Sequence, residues 1–290
     1  MVHHHEALYA PTTDDESTDD ESAGQSLAWS ALATTVTPRQ LPAAGGTLVG
    51  RAARLSWLDE LLLGSEDRHS RIAVLTGMAG AGKTALAVQW AHAAAGVFAD
   101  GQLYVDARGF GPDPPLQPSE ILAVFLRALG QSEAAERGSL NERAARFRTA
   151  LTGRRMIVVL DNVASIEQVR PLLPGTGPSA VLITSRERLR GLAVHQAAQV
   201  LEVDRLSLQD AVTLLHAAIG ARVAADPAST ALLAARCAGL PLALRIAVGR
   251  DADRPSLNLA GRMAPGNRCH KKAALIRGTR AARGASEVAH

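Results

Sequence analysis

Apolar positions in this chain follow two rhythms that alternate along it. Met156, Ile157, Val158, Val159 and Leu160 run without polar interruption, Ala180 to Ile183 repeats the pattern, and Ile72 to Leu75 is a third such run. Runs without alternation belong to strands covered on both faces, as in parallel sheets. Leu103, Tyr104 and Val105 predict another strand, and Val200 to Val203 a fifth, weaker one.

Between the runs the spacing is helical. Leu55, Trp57, Leu58, Leu61, Leu62 and Leu63 precede a stop at Gly64, and an alanine-rich helix is expected from Thr84 to Ala95. Ile121, Leu122, Phe125, Leu126 and Leu129 form a stripe behind Pro118, which suits a first helical position. Ser139 with Glu142 makes a capping box for a helix expected to face Leu140, Phe147 and Leu151 inward. Strands alternating with helices imply an α/β fold, a doubly wound parallel sheet. From Ser207 the pattern is helical only: Ser207 with Asp210 caps one helix, a second runs from about Ala228 to Ala238, and a third starts at Pro241. These predict a small C-terminal helical subdomain.

One stretch carries recognisable chemistry. After the strand Arg71 to Thr76 come Gly77, Met78, Ala79, Gly80, Ala81, Gly82, Lys83 and Thr84, then Ala85 in the expected helix. Glycine, four residues, glycine, lysine, threonine between a strand and a helix is the pattern of a phosphate-binding loop. The glycines let backbone N–H groups turn inward around phosphate oxygens, and the helix N-terminus adds its positive end. Lys83 is expected to neutralise the β and γ phosphates, and the Thr84 hydroxyl to hold Mg2+. Before residue 271 the chain uses arginine for every other cationic side chain, which sets Lys83 apart.

Parallel sheets bind ligands at the carboxyl ends of their strands, so the remaining groups are sought there. Asp161 follows Met156 to Leu160 directly and is the expected carboxylate for the magnesium ion at Thr84. Asn162 stands beside it, where many ATPases place a second carboxylate to polarise the attacking water; an amide takes no proton, which predicts slow or no hydrolysis. Arg186, ending another strand, is the expected sensor of the terminal phosphate.

Composition narrows the function classes. With 47% hydrophobic residues among 290 the chain can build a sizeable core, and with 3% aromatics that core rests on Leu, Val, Ile and Ala. Seven acidic side chains against Arg39 alone in residues 1–46 predict a disordered acidic tail and linker, with a brief helix around Leu27 to Leu32. Residues 47–205 form the expected nucleotide-binding domain, 206–249 the helical subdomain, and 250–290, with nine basic residues against three acidic, a basic disordered tail. No apolar run reaches membrane-spanning length and the N-terminus lacks a secretory signal, so a cytoplasmic location and no membrane partner are expected. Cys237 and Cys269 form no disulfide framework or metal pattern, and His3, His4 and His5 read as a solvated tail.

From Leu48 to Val248 the chain resembles the NB-ARC domains of signal-transduction ATPases with numerous domains. The resemblance rests on Val49, Gly50 and Arg51; the loop Gly77 to Thr84; Leu103 to Asp106 with Arg108, Gly109 and Phe110; Leu160, Asp161 and Asn162; Thr184, Ser185 and Arg186; and Gly239 to Leu242. It is nearest to the bacterial antibiotic-regulatory transcription factors, in which a stretch like Pro38 to Pro42 precedes the nucleotide-binding segment. The resemblance implies an ADP or ATP switch with Mg2+. Val49 and Arg51 would border the adenine, and Pro241 would bring the helical subdomain onto the nucleotide. It also implies self-association on ATP binding. The chain departs from the family at both ends: an acidic tail stands where those regulators carry a DNA-binding winged helix, and the pattern dissolves after Val248. It therefore reads as a truncated or frame-shifted product, in which direct DNA binding is not expected. An active ATPase or P-loop kinase is the competing reading, and nucleic-acid binding through the basic tail a third.

Overall fold

The computed structural model describes residues 37–64, 71–132, 135, 138–220, 223 and 226–249. The acidic segment before residue 37, the histidine triplet, Cys269 and the basic end lie outside the described residues, and with them the expectations made there.

Five strands form one parallel sheet: β1 (Ile72–Thr76), β2 (Gly101–Asp106), β3 (Met156–Val163), β4 (Ala180–Ser185) and β5 (Gln199–Glu202), in the order β2-β3-β4-β1-β5. Every residue of β1 and β4 is buried, which is why neither alternates. On one face α1 (Ala52–Leu62) and α2 (Lys83–Ala94) cover the sheet, with Leu58, Leu62, Leu86 and Trp90 packed on Ala73, Leu75, Val159 and Leu182. On the other face lie α3 (Pro118–Ala128), α4 (Leu140–Leu151), α5 (Ile166–Val169) and α6 (Arg190–Gln196). There Phe125 stacks on Phe147 at 5.7 Å between ring centroids, within the cluster that takes Val74, Val158 and Ile183 from the sheet. Helices on both faces make the sheet doubly wound, as the apolar runs predict.

This winding places the ligand crevice. The chain leaves β1 towards the α2 face, whereas after the neighbouring β4 it passes to the α6 face. Loops diverging from adjacent strand ends leave a cleft at the carboxyl edge of the sheet. Three further helices, α7 (Leu208–Ile219), α8 (Pro227–Arg236) and α9 (Pro241–Gly249), follow β5 and pack around a cluster of their own that includes Leu215, Ala234 and Leu244.

Three sequence expectations are corrected, and two short helices are added. The strand expected to stop at Leu160 continues to Val163, with Asp161 and Asn162 inside it; the register with β4 shifts between Leu160 and Val163, and Asn162 takes a positive φ of 55°. An extra residue thus bulges out of the ladder. Leu140 is 38% exposed because it starts α4 at an uncovered end, and the stripe buries only from Ala144 onward. Part of the expected acidic tail is paired: Pro38 O accepts from Gln102 N at 2.7 Å and Gln40 N donates to Gln102 O at 3.0 Å, along the edge strand β2. Finally, α5 and α6 are too short to show a periodicity and were not expected.

Candidate functional site

The loop after β1 closes through backbone conformations that only glycine adopts freely. Gly77, Gly80 and Gly82 have φ of 142°, 78° and 95°. At Gly77 a side chain would also meet Val203 O at 2.5 Å, so the loop lies flush against the chain leaving β5. Lys83 opens α2 with its side chain folded back, and its Nζ donates to Gly77 O at 2.8 Å and Met78 O at 2.9 Å. Burial first and the nearby Arg186 charge second lower the pKa of this ammonium to about 8, with Asp161 pulling the other way.

Asp161 is the hub of the strand ends. Its Oδ1 accepts from Thr84 Oγ1 at 2.8 Å and from Thr184 Oγ1, and its Oδ2 accepts from the Tyr104 hydroxyl at 3.2 Å. Three neighbouring elements, α2, β4 and β2, thereby orient one carboxylate that is 6% exposed. The Tyr104 phenol is pushed well above its ordinary pKa, by burial first and then by the Asp161 charge. A hydroxyl and a carboxylate side by side are hard oxygen donors of the kind a magnesium ion takes, and Thr84 with Asp161 fit it.

Asn162 turns away from this hub. Its backbone N donates to Thr184 Oγ1 at 2.9 Å, while Nδ2 reaches Asp106 Oδ1 at 3.2 Å and Phe110 O at 3.4 Å. Arg186 leaves β4 at the same edge, but its guanidinium lies over the Phe110 ring, 4.8 Å from the centroid. It is beside the loop and stacked, not bonded to it.

A cavity of about 310 Å³ joins the loop to the helices that follow the sheet. Gly80 to Ala85 form its floor, Pro241, Leu242 and Arg245 of α9 its cover, and Leu48, Val49, Leu206 and Leu214 an apolar wall. Arg51 also lines it, yet its guanidinium is spent on the protein: Nη2 donates to Ala81 O at 2.9 Å and to Asp204 O at 2.7 Å. That arginine staples the chain before α1 to the phosphate loop. Its pKa is lowered, mainly by burial.

The structure therefore brings together Val49, Arg51, the loop from Gly80 to Ala85, Asp161 through Thr84, and Pro241. Gly77, Met78 and Ala79 form the rest of the loop, and Arg186 stands at its side. Tyr104 and Thr184 were read only as residues of the family motifs, without a role, and Leu206, Leu214 and Arg245 were not foreseen. For Thr184 and Tyr104 the signal was present as position, since each sits at or near the carboxyl end of a strand flanking β3. For Leu206, Leu214 and Arg245 there was none, because their part depends on how the helices fold back.

Comparison with known proteins agrees with this architecture. The regulatory protein AfsR of Streptomyces coelicolor is 42% identical over 226 residues, covering 76% of this chain and 22% of that protein. AfsR of Streptomyces griseus is 42% identical over 218 residues, with the same 22% share. The chain thus spans about a fifth of the length of these relatives. Among solved structures, the ORC2 protein of Aeropyrum pernix, in ADPNP and ADP complexes, superposes with a TM-score of 0.50 at 14% identity, covering 81% of this chain and 70% of that one. The fold is that of the P-loop NTPases. The NB-ARC domain matches residues 53–224, more than half of the sequence, and the chain belongs to the NB-ARC domain family.

Proposed function

We propose that this chain is an adenine-nucleotide switch: it binds ADP or ATP with Mg2+ between the sheet edge and α9, and hydrolyses ATP slowly. One observation carries the reading, namely that a single cavity is shared by the phosphate loop and the first turn of α9. Leu242 N donates to Gly80 O at 3.3 Å, so the cover bonds directly to the loop that would hold the phosphates. A ligand that fits one arrangement of loop and cover better than another shifts the balance between them. The apolar wall of Leu48, Val49, Leu206 and Leu214 suits the faces of a purine, and the loop amides with Lys83 suit a polyphosphate.

In this reading Thr84 and Asp161 hold the metal, which screens phosphate charge when bound, and Arg186 senses the terminal phosphate once it leaves Phe110. The switch would sit inside a regulator of transcription like the AfsR proteins, acting in the cytoplasm and self-associating in its ATP state. No helix among the described residues is long and apolar enough to cross a membrane.

The test is to identify chromatographically the nucleotide carried by protein purified without added ligand, followed by calorimetry with ADP, ATP and Mg2+. Retained ADP, lost in Lys83→Ala, is expected. Absence of any binding heat at millimolar nucleotide would defeat the proposal.

A further inference from the structure

Resting on the nucleotide reading above, we infer that Asp106 is the carboxylate that activates the attacking water, the task Asn162 cannot perform. Asp106 ends β2 directly opposite Asp161 in the register of β2 and β3. Side chains two apart on a strand share a face. Tyr104 reaches Asp161 from the α2 side of the sheet, and Asp106 is two residues beyond it.

The carboxylate is held in place. Its Oδ1 accepts from Arg108 N at 2.9 Å and from Asn162 Nδ2 at 3.2 Å. Its Oδ2 has no hydrogen bond among the described residues, and the residue is exposed at the open edge. The bulge in β3 explains the pairing. Because Asn162 adopts a positive φ, its amide swings towards β2 and becomes a donor that fixes the neighbouring acid. Asn162 is thus a positioning residue, and the acid lies one strand over from where the sequence suggests looking.

Chemically, Oδ2 accepts a hydrogen bond from a water molecule and takes its proton as the water oxygen bonds to the γ-phosphorus. The bond from that phosphorus to the β,γ-bridging oxygen breaks with its electron pair on ADP. The proton then passes from Asp106 to solvent as phosphate leaves. With Oδ1 occupied by two donors, Oδ2 is the oxygen left for this work.

The experiment uses the full chain with Mg2+. ATP affinity is measured by calorimetry, single-turnover cleavage by product formation, and the nucleotide retained on purification by chromatography. Asp106→Asn keeps an Oδ1 acceptor for Arg108 N and Asn162 Nδ2. It is expected to bind ATP within about 3-fold of the parent, to cleave it about 100-fold more slowly, and to purify with ATP where the parent carries ADP. Asp106→Glu, which retains a carboxylate, should recover part of the rate and the ADP content. Cleavage by Asp106→Asn at the parent rate, or no cleavage by ATP-loaded parent protein, overturns the inference while leaving the binding site intact. Failure of the parent to bind ATP removes the underlying reading, and the inference with it.

Discussion

To neutralise the proposed polyphosphate, Lys83 would have to be a cation where the protein resists one. Burial and Arg186 hold its pKa at about 8, down from 10.5, and a bound polyphosphate would add negative charge and raise it again. At pH 8 roughly half of the empty sites are then neutral, so binding takes up protons; at pH 6 the ammonium is already formed and takes up none. Affinity should accordingly fall as pH rises through about 8. In the empty protein, the unfolded chain holds more protons than the native one between about 8 and 10.5, so this group makes stability rise with pH in that window and leaves it flat below. Calorimetry of ADP binding in two buffers of different ionisation heat counts the protons; the same count at pH 6 and pH 8 would contradict the assignment.

A second residue, Gly109, matters for space. A Cβ there would sit 2.3 Å from Ala164 N and 2.4 Å from Asn162 O, both backbone atoms that cannot rotate aside. Gly109 N donates to that same Asn162 O at 2.6 Å, so the loop after β2 is pressed against the bulge of β3. Gly109→Ala should lower stability by about 1–3 kcal/mol, the usual cost of forcing atoms into a filled space. A denaturation midpoint unchanged from the parent would show that the loop does not need this contact.

At the scale of elements, the contact between the phosphate loop and α9 is the hinge of the argument. Gly80 has φ of 78°, and a Cβ on it would stand 3.1 Å from Leu242 Cβ. Gly80→Ala therefore strains the loop and wedges α9 outward at once, while leaving the two motif glycines, Gly77 and Gly82, in place. Release of a fluorescent ADP followed by stopped flow should be faster by about 10-fold, equivalent to about 1.4 kcal/mol. An unchanged rate would mean that α9 does not restrain the ligand. The phosphate loop, Asp161 and the start of α9 at Pro241 could all be read in the sequence because each is local, a fixed spacing beside an apolar run. Asp106 was legible only as a residue of the family motif at a strand end, and no role could be read for it, because that role comes from standing opposite Asp161 and beside the bulge at Asn162. The pairing of residues 38–40 with β2 left no trace either, since it is made by backbone atoms and carries no periodicity of side chains.

At the scale of the whole described fold, the segment from Pro38 to Arg51 touches each part in turn. Gln40 pairs with β2, Pro42 O lies 2.8 Å from His92 Nε2 on α2, and Gly45 O accepts from Arg245 on α9 at 3.2 Å. Leu48 and Val49 then enter the cavity wall, and Arg51 ties off on Ala81 O and Asp204 O. Such a segment has little core of its own, so its order depends on the elements it crosses. If nucleotide tightens the loop and α9 together, the segment must tighten with them. Hydrogen exchange should show amides of residues 40–50 protected by ADP, alongside those of the loop and of α9. Arg51→Ala removes the staple and leaves Ala81 O and Asp204 O without their donor, a loss of about 1–3 kcal/mol when such groups are buried. In that variant ADP should still protect the loop amides, whereas protection of residues 40–50 should be lost. Equal protection in both proteins would mean that the segment is held by the sheet edge alone and does not follow the occupancy of the site.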